Sequence, residues 1–256
     1  MSADQAPTPR LSEPYLSVIV PAYNEETRIG DTLRALAEYL GSQTYTWELV
    51  VVDDGSTDAT ASLARAFARD RPQVQLLSVA HGGKGWAVNQ GMLWAAGEYR
   101  FLCDADLSMP VEHLDRFLPP QSSDFDIAIG SREVAGARRI GEPYRRHLMG
   151  RVYNLLVRAL AVPGLSDTQC GFKCFSSRVA EEMFPLQRLY GFAFDVEILF
   201  MARKRGLRIK EVPIDWLYRP QSKVRPYADS LAMTRDIFKI RWNHLQGRYD
   251  RAPVGP

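Results

Sequence analysis

Leu16-Ser-Val-Ile-Val-Pro-Ala22 and Glu48-Leu-Val-Val-Val-Asp-Asp54 are short, almost unbroken apolar runs, and the segment between them, Glu25 to Tyr39, has a different rhythm. There Ile29, Leu33 and Leu36, followed by Leu40, recur at helical spacing. The alternation continues outward. Thr57 to Arg69 reads as a helix, Val74 to Val79 as a strand, Gly85 to Ala96 as a helix and Tyr99 to Cys103 as a fourth strand. Strands apolar on both faces, separated by amphipathic helices, predict an α/β fold with a mainly parallel sheet covered on each side. A fifth strand follows at Asp126 to Gly130. Beyond it the pattern predicts a helix over Glu142–Val162, a strand at Phe172–Phe175, a helix over Phe192–Arg205, a strand over Leu207–Trp216 and a last helix over Asp229–Leu245. There is no internal repeat and no low-complexity linker, so one compact unit is expected.

The 256 residues are 46% apolar and 24% charged, which supports a globular core and excludes general disorder. The longest apolar stretch, Val152 to Val162, contains Asn154 and Arg158 and is too short and polar to span a bilayer. The first residues lack the apolar segment of a secretory signal. Cys103, Cys170 and Cys174 include no CxxC pair, so a reducing, cytoplasmic setting is expected and a zinc site is not. The net charge is only +2, but seven arginines face two glutamates between Arg132 and Arg158, and eight basic residues face two acids between Arg203 and Arg225. That asymmetry points the second half towards something anionic, against the plainer reading of a solvated basic face.

Open parallel sheets bind ligands at the carboxyl ends of their strands. Three polar clusters fall on that edge: Pro21-Ala-Tyr-Asn-Glu25, Asp53-Asp54-Gly-Ser-Thr-Asp58 and Asp104-Ala-Asp106. Two carboxylates two residues apart repel unless a cation joins them, and Mg²⁺ or Mn²⁺ with a bound diphosphate is a natural partner. The alternative is that they only cap the next helix. One acid of the Asp53-Asp54 pair can cap; the other can hydrogen-bond a ribose or base edge. Gly82-Gly-Lys-Gly85 opens a helix, where the backbone can approach an anion and Lys84 can meet a phosphate. Neither GxxxxGK[ST] nor GxGxxG nor Gly-x-Ser-x-Gly occurs, which removes the usual support for an ATPase, a dinucleotide oxidoreductase or a serine hydrolase. Nucleic-acid binding is not expected, because the acidic edge would repel a phosphate backbone.

Ser17-Val-Ile-Val-Pro-Ala-Tyr-Asn-Glu25, Val51-Val-Asp-Asp-Gly-Ser-Thr-Asp58, Gly83-Lys-Gly85 and Asp104-Ala-Asp-Leu-Ser-Met-Pro110 resemble the motifs of the family 2 inverting glycosyltransferases, in family order. Gly130-Ser-Arg132, Asp167-Thr-Gln-Cys-Gly-Phe-Lys-Cys-Phe175 and Phe192-Ala-Phe-Asp-Val-Glu197 resemble the polyprenyl-phosphate sugar transferases, most of all the dolichyl-phosphate β-glucosyltransferases. The resemblance covers about residues 16–245. It implies a GT-A fold, Rossmann-like, in a single domain with a C-terminal acceptor-binding part. The expected division is a tail at 1–14, a nucleotide-sugar half at 15–131, an acceptor half at 132–247 with interfacial helices, and a tail at 248–256.

By the same resemblance Pro21, Ala22, Tyr23, Glu25, Asp53, Lys84 and Asp104 are expected at the nucleotide sugar, with Asp106 as metal ligand. Asp106, Arg132, Asp167 and Asp195 form the expected catalytic set; Arg132, Arg138, Arg139 and Gln169 are expected at the acceptor. Glu197 is expected at the sugar pocket. The implied partners are UDP-glucose, Mg²⁺ or Mn²⁺, a polyprenyl phosphate and a peripheral contact at the inner membrane face. Two alternatives share the chemistry: a soluble or saccharide acceptor, and GDP-mannose as donor. A third is a catalytically silent binding module. An anionic phosphate needs no strong base, whereas a sugar hydroxyl would need one, with Asp167 or Asp195 the candidates. Two departures from the family are the lack of a membrane segment and Asn89, where relatives often carry a basic residue.

Overall fold

The computed structural model describes residues 13–143, 154, 155, 157, 160–219 and 226–250, and side chains in the last stretch from residue 232. The first four strands and three helices follow the predicted order: β1 (Leu16–Ala22), α1 (Ile29–Gly41), β2 (Trp47–Asp54), α2 (Thr60–Ala68), β3 (Val74–Val79), α3 (Lys84–Trp94) and β4 (Tyr99–Cys103). A 3₁₀ turn (Val111–Phe117) leads to β5 (Ile127–Ser131), then β6 (Arg138–Ile140), β7 (Phe172–Ser176), α4 (Ser177–Met183), α5 (Phe194–Lys204), β8 (Ile209–Pro213), β9 (Asp215–Leu217) and α6 (Pro226–Leu245).

Seven strands form one sheet in the order β3-β2-β1-β4-β7-β5-β8, and β6 pairs with β9 in a small second sheet. Only β7 runs against its neighbours, antiparallel to both β4 and β5. The strand period of two explains how the sheet is covered. Ile19, Val50, Val52 and Leu102 face a core built with α3, α4, α5 and α6, while Val18, Val20, Leu49, Val51 and Phe101 face the other core under α1. Helix α3 sits so close that a Cβ on Gly91 would lie 2.5 Å from Ile19 Cγ2.

Several boundaries differ from the expectation. α1 starts at Ile29 rather than Glu25, because Glu25 is held in the preceding loop by a bond from its N–H to Thr60 Oγ1 at 2.7 Å. The strand expected over Leu207–Trp216 is broken at Ile214: β8 continues the large sheet and β9 turns to pair with β6. No helix among the described residues is long and apolar enough to cross a membrane. The interfacial helix expected over 142–162, with Leu148, Val152, Arg145, Arg146, Arg151 and Arg158, lies mostly outside the described residues.

Candidate active site

The strand directions bring the carboxyl ends of β1, β2, β3, β4, β5 and β8 to one edge, and antiparallel β7 starts there, with Phe172 beside Cys103. The clusters at 21–25, 53–58, 82–85 and 104–106 therefore converge on this edge. The loops after β1 and β2 are laced together: Asn24 N–H donates to Ser56 Oγ at 2.9 Å and Thr57 N–H to Asn24 Oδ1 at 2.8 Å. Pro21 and Ala22 end β1 beside Val52 and Asp53. Glu25 is ion-paired with Arg28 at 2.6 Å. Tyr23 stacks on His81, ring centroids 4.2 Å apart.

The two acids after β2 have separate tasks. Asp54 is buried and accepts the N–H groups of Gly82 and Gly83 at 2.8 and 2.9 Å, with His81 Nδ1 2.9 Å from its Oδ2. It builds the glycine turn. Gly83 has φ +100° and a Cβ there would lie 2.8 Å from Tyr190 O, so the turn requires glycine. Asp53 accepts Ser56 N–H at 3.3 Å.

The turn delivers Lys84 to the paired acids. Its Nζ lies 2.7 Å from Asp104 Oδ1 and 2.9 Å from Oδ2. Burial works against the ammonium, but Asp104, Asp195 and Asp106 outweigh it and hold its pKa above the usual lysine value. Asp106 accepts Ser108 N–H at 2.9 Å within a turn whose Leu107 has φ +43°, an uncommon backbone for a branched side chain. Burial and the Asp104 charge push the Asp106 carboxyl upward. An Asp106 carboxylate whose ionisation is opposed by burial and by the neighbouring Asp104 charge is one that a cation would relieve. Among the described residues no group of three or more His, Cys, Asp or Glu could hold a metal. Two carboxylates suffice for Mg²⁺ or Mn²⁺ only where substrate phosphates complete the shell, and the residues present fit that case.

The turn before β7 forms the opposite wall. A Cβ on Gly171 would lie 1.8 Å from Asp104 Oδ2, so only glycine lets this chain pass. Behind it Lys173, 1% exposed, pairs with Asp195 at 2.7 Å. Burial raises the Asp195 carboxyl, and Lys173 and Lys84 offset part of that rise. Charges thus alternate from Asp104 through Lys84 and Asp195 to Lys173. Lys173 was not singled out in the sequence; the available signal was a lone lysine inside the apolar strand Phe172-Lys-Cys-Phe175.

On the far side Arg132 meets Asp167 in a two-point fork, Nε–Oδ2 2.6 Å and Nη2–Oδ1 2.9 Å, in which Nη1 takes no part. Burial pushes Asp167 up, but Arg132 outweighs it and holds the carboxyl below the usual aspartate range. Glu211 fixes the loop by accepting the N–H groups of Ser166 and Asp167 at 2.9 and 3.0 Å. Arg132 lies 5.4 Å and Arg139 5.8 Å from the Trp216 ring, so β9 gathers the basic residues around one indole. Arg138 pairs with Asp215, and Arg139 with Glu133 and Glu142 at 2.6 Å each. Gln169 points its amide towards Met233 Sδ at 3.9 Å on α6.

Two residues stand apart from the edge. Glu197 accepts Arg188 N–H, Leu189 N–H and Tyr249 O–H at 2.9, 2.8 and 2.6 Å; it anchors a loop and the C-terminal segment. Asn89 is buried and donates to Phe184 O at 2.6 Å, which gives it a packing task.

This sheet, with paired acids, a lysine-bearing glycine turn and an arginine fork on one edge, is the framework of a sugar-transferring enzyme. The chain belongs to glycosyl transferase family 2, which matches residues 17–184. It is 34% identical to the dolichyl-phosphate beta-glucosyltransferase of Dictyostelium discoideum over 91% of this chain and 76% of that protein. It is 35% identical to the Homo sapiens protein of the same name, over 91% and 77%. Its fold is similar to glucosyl-3-phosphoglycerate synthase from Mycobacterium tuberculosis in complex with Mn²⁺, UDP and glucosyl-3-phosphoglycerate, with a TM-score of 0.66 and 19% identity over 94% of this chain and 82% of that one.

Proposed function

We propose that this chain transfers glucose from UDP-glucose to a polyprenyl phosphate, with inversion at C1, attached peripherally at the cytoplasmic membrane face. The relatives' names support the sugar and the lipid phosphate. The UDP-glucose and Mn²⁺ in a related fold support the donor and a divalent ion. One geometric observation carries the acceptor class. Both candidate bases are committed: Asp167 to Arg132 and Asp195 to Lys173. Neither offers a free carboxylate to a sugar hydroxyl, and an acceptor that arrives already ionised needs none.

In this reading residues 15–131 hold the donor and 132–247 the acceptor. Pro21, Ala22, Tyr23, Glu25 and Asp53 line the nucleoside end. Asp106 would hold Mg²⁺ or Mn²⁺, with Asp104 at the nucleotide sugar; when bound, the ion would neutralise charge on the diphosphate. Lys84 leans on Asp104 and adds positive charge where the leaving group develops negative charge. Arg132, oriented by Asp167, presents Nη1 to the acceptor phosphate, with Arg138, Arg139 and Gln169 beyond it. A phosphate oxygen forms the bond to C1, the C1–O bond to the diphosphate breaks, and the electron pair leaves with UDP.

The test is product analysis with a short polyprenyl phosphate, UDP-glucose and Mn²⁺ or Mg²⁺. Glucosyl-phosphoryl-polyprenol is expected. Preference for GDP-mannose, or transfer only to a neutral saccharide, would replace this reading. Gly171→Ala provides a geometric check. Its methyl must push Asp104 away from Lys84, and a shift of this size is expected to lower kcat by about a hundredfold. Steady-state kinetics of the variant with UDP-glucose measures it; unchanged kcat would show that the Asp104–Lys84 contact is not needed.

A further inference from the structure

Helix α6 is apolar on two opposite sides. Met233, Ile237 and Ile240 are buried in the core and His244 packs edge-on to Phe200, centroids 5.3 Å apart. On the outer side Phe238, Trp242 and Leu245 are 60%, 60% and 79% exposed. Their spacing of four and three residues makes one stripe along the helix, directed away from the buried face. A single exposed apolar residue is ordinary; a phenylalanine, a tryptophan and a leucine in line are a patch.

The borders of the stripe indicate its partner. At 100° per residue Arg235 and Lys239 lie along one border and Arg241 along the other, and all three are exposed. Asp236 is the one described acid here, and it pairs with Lys239 at 2.7 Å. Arg241 also donates to Leu160 O at 3.3 Å. An apolar ridge with an indole at its centre and cationic borders matches the depth profile of a bilayer surface: acyl boundary below, anionic headgroups beside. A second copy of the chain would set these cations against their own kind. The inner side of the same helix meets Gln169, in the loop that carries Asp167, through Met233.

We propose that the Phe238–Trp242–Leu245 ridge of α6 is the surface by which the protein seats on an anionic lipid bilayer. The inference rests on the lipid-phosphate reading for its purpose but not for its test. The wild type is expected to co-sediment with phosphatidylcholine–phosphatidylglycerol vesicles at low salt. Phe238→Ser/Trp242→Ser/Leu245→Ser is expected to reduce the partition coefficient at least about tenfold. Its melting temperature, UDP affinity and transfer to a short, water-soluble polyprenyl phosphate should change little, because these side chains are mostly exposed and lie off the buried face of α6. Arg235→Ser/Lys239→Ser/Arg241→Ser should bind weakly and lose the salt dependence. Three results would overturn the proposal: no vesicle binding by the wild type, equal binding by the triple serine variant, or a wild-type dimer that this variant dissolves. Vesicle binding lost with the ridge while neither protein transfers glucose would support the ridge and defeat the glucosyl reading.

Discussion

Asp106→Asn is expected to lower turnover about a thousandfold or more while leaving the fold intact. The asparagine keeps an oxygen where Asp106 Oδ1 now accepts Ser108 N–H at 2.9 Å, so the turn with Leu107 at positive φ is held as before. What disappears is the charge. In the folded protein that charge is opposed by burial and by Asp104, so its loss should leave the melting temperature unchanged or slightly higher. Its unfavourable ionisation beside a second carboxylate is what motivates the expectation that Asp106 binds a cation. Calorimetry should show UDP binding that no longer strengthens when Mn²⁺ is added, and kinetics should show the loss in kcat. A variant that keeps Mn²⁺-dependent UDP affinity and more than about a tenth of the turnover would remove Asp106 from the metal site.

Lys173→Met is expected to have the largest effect on stability. The lysine lies in the sheet interior and, among the described residues, its charged partner in contact is Asp195 at 2.7 Å, so its removal strands a carboxylate away from water. Breaking a buried pair on one side costs about 3–5 kcal/mol. For a domain of this length that is a fall of roughly 10 °C in melting temperature. Lys173→Met/Asp195→Leu should recover most of it, because an apolar replacement of both partners leaves no buried charge. Activity should not return with stability. Lys84 loses one of the carboxylates that hold it charged, and the alternation of charge behind Asp104 is gone. Thermal melts of the single and double variants, alongside their kcat, separate the two contributions. A single variant as stable as the parent would mean that Asp195 is content as the neutral acid.

The first half of the molecule was legible because its signals are redundant. Val18, Ile19 and Val20, like Val50, Val51 and Val52, are apolar on both faces, and Asp53 and Asp104 mark the carboxyl ends of β2 and β4. The second half offered less. Arg138-Arg-Ile140 has no apolar alternation, yet it becomes β6 because Asp215 is its partner across β9, a long-range ion pair that no local pattern announces. Asp53 and Asp54 are neighbours of identical chemistry; only the position of the Gly82 and Gly83 amides reveals which one is structural. Lys173 was hidden for a similar reason: a lysine in a strand reads as solvent-facing until Asp195, from a helix outside the motif, is found against it. Gly171 read as part of a motif, and its task became visible only when the Asp104 carboxylate appeared where a side chain would go.

The place of β7 has a consequence for how the chain comes together. Strands β1 to β4 follow one another and pair with helices between them, so they can assemble as they leave the ribosome. β5 cannot join them. Its neighbour on that side is β7, which enters between β4 and β5 and is made after both. Until Phe172–Ser176 has emerged, β4 has an open flank, and β5 has none of its final partners, since β8 is later still. The nascent chain therefore carries a half-built sheet with a bare edge, the kind of intermediate on which chaperones act and from which aggregates grow. The strand that seals this gap also brings Gly171 against Asp104 and Lys173 beneath it. Joining the two halves of the sheet and bringing Gly171 against Asp104 are a single late event, and a chain that stops short of β7 has neither.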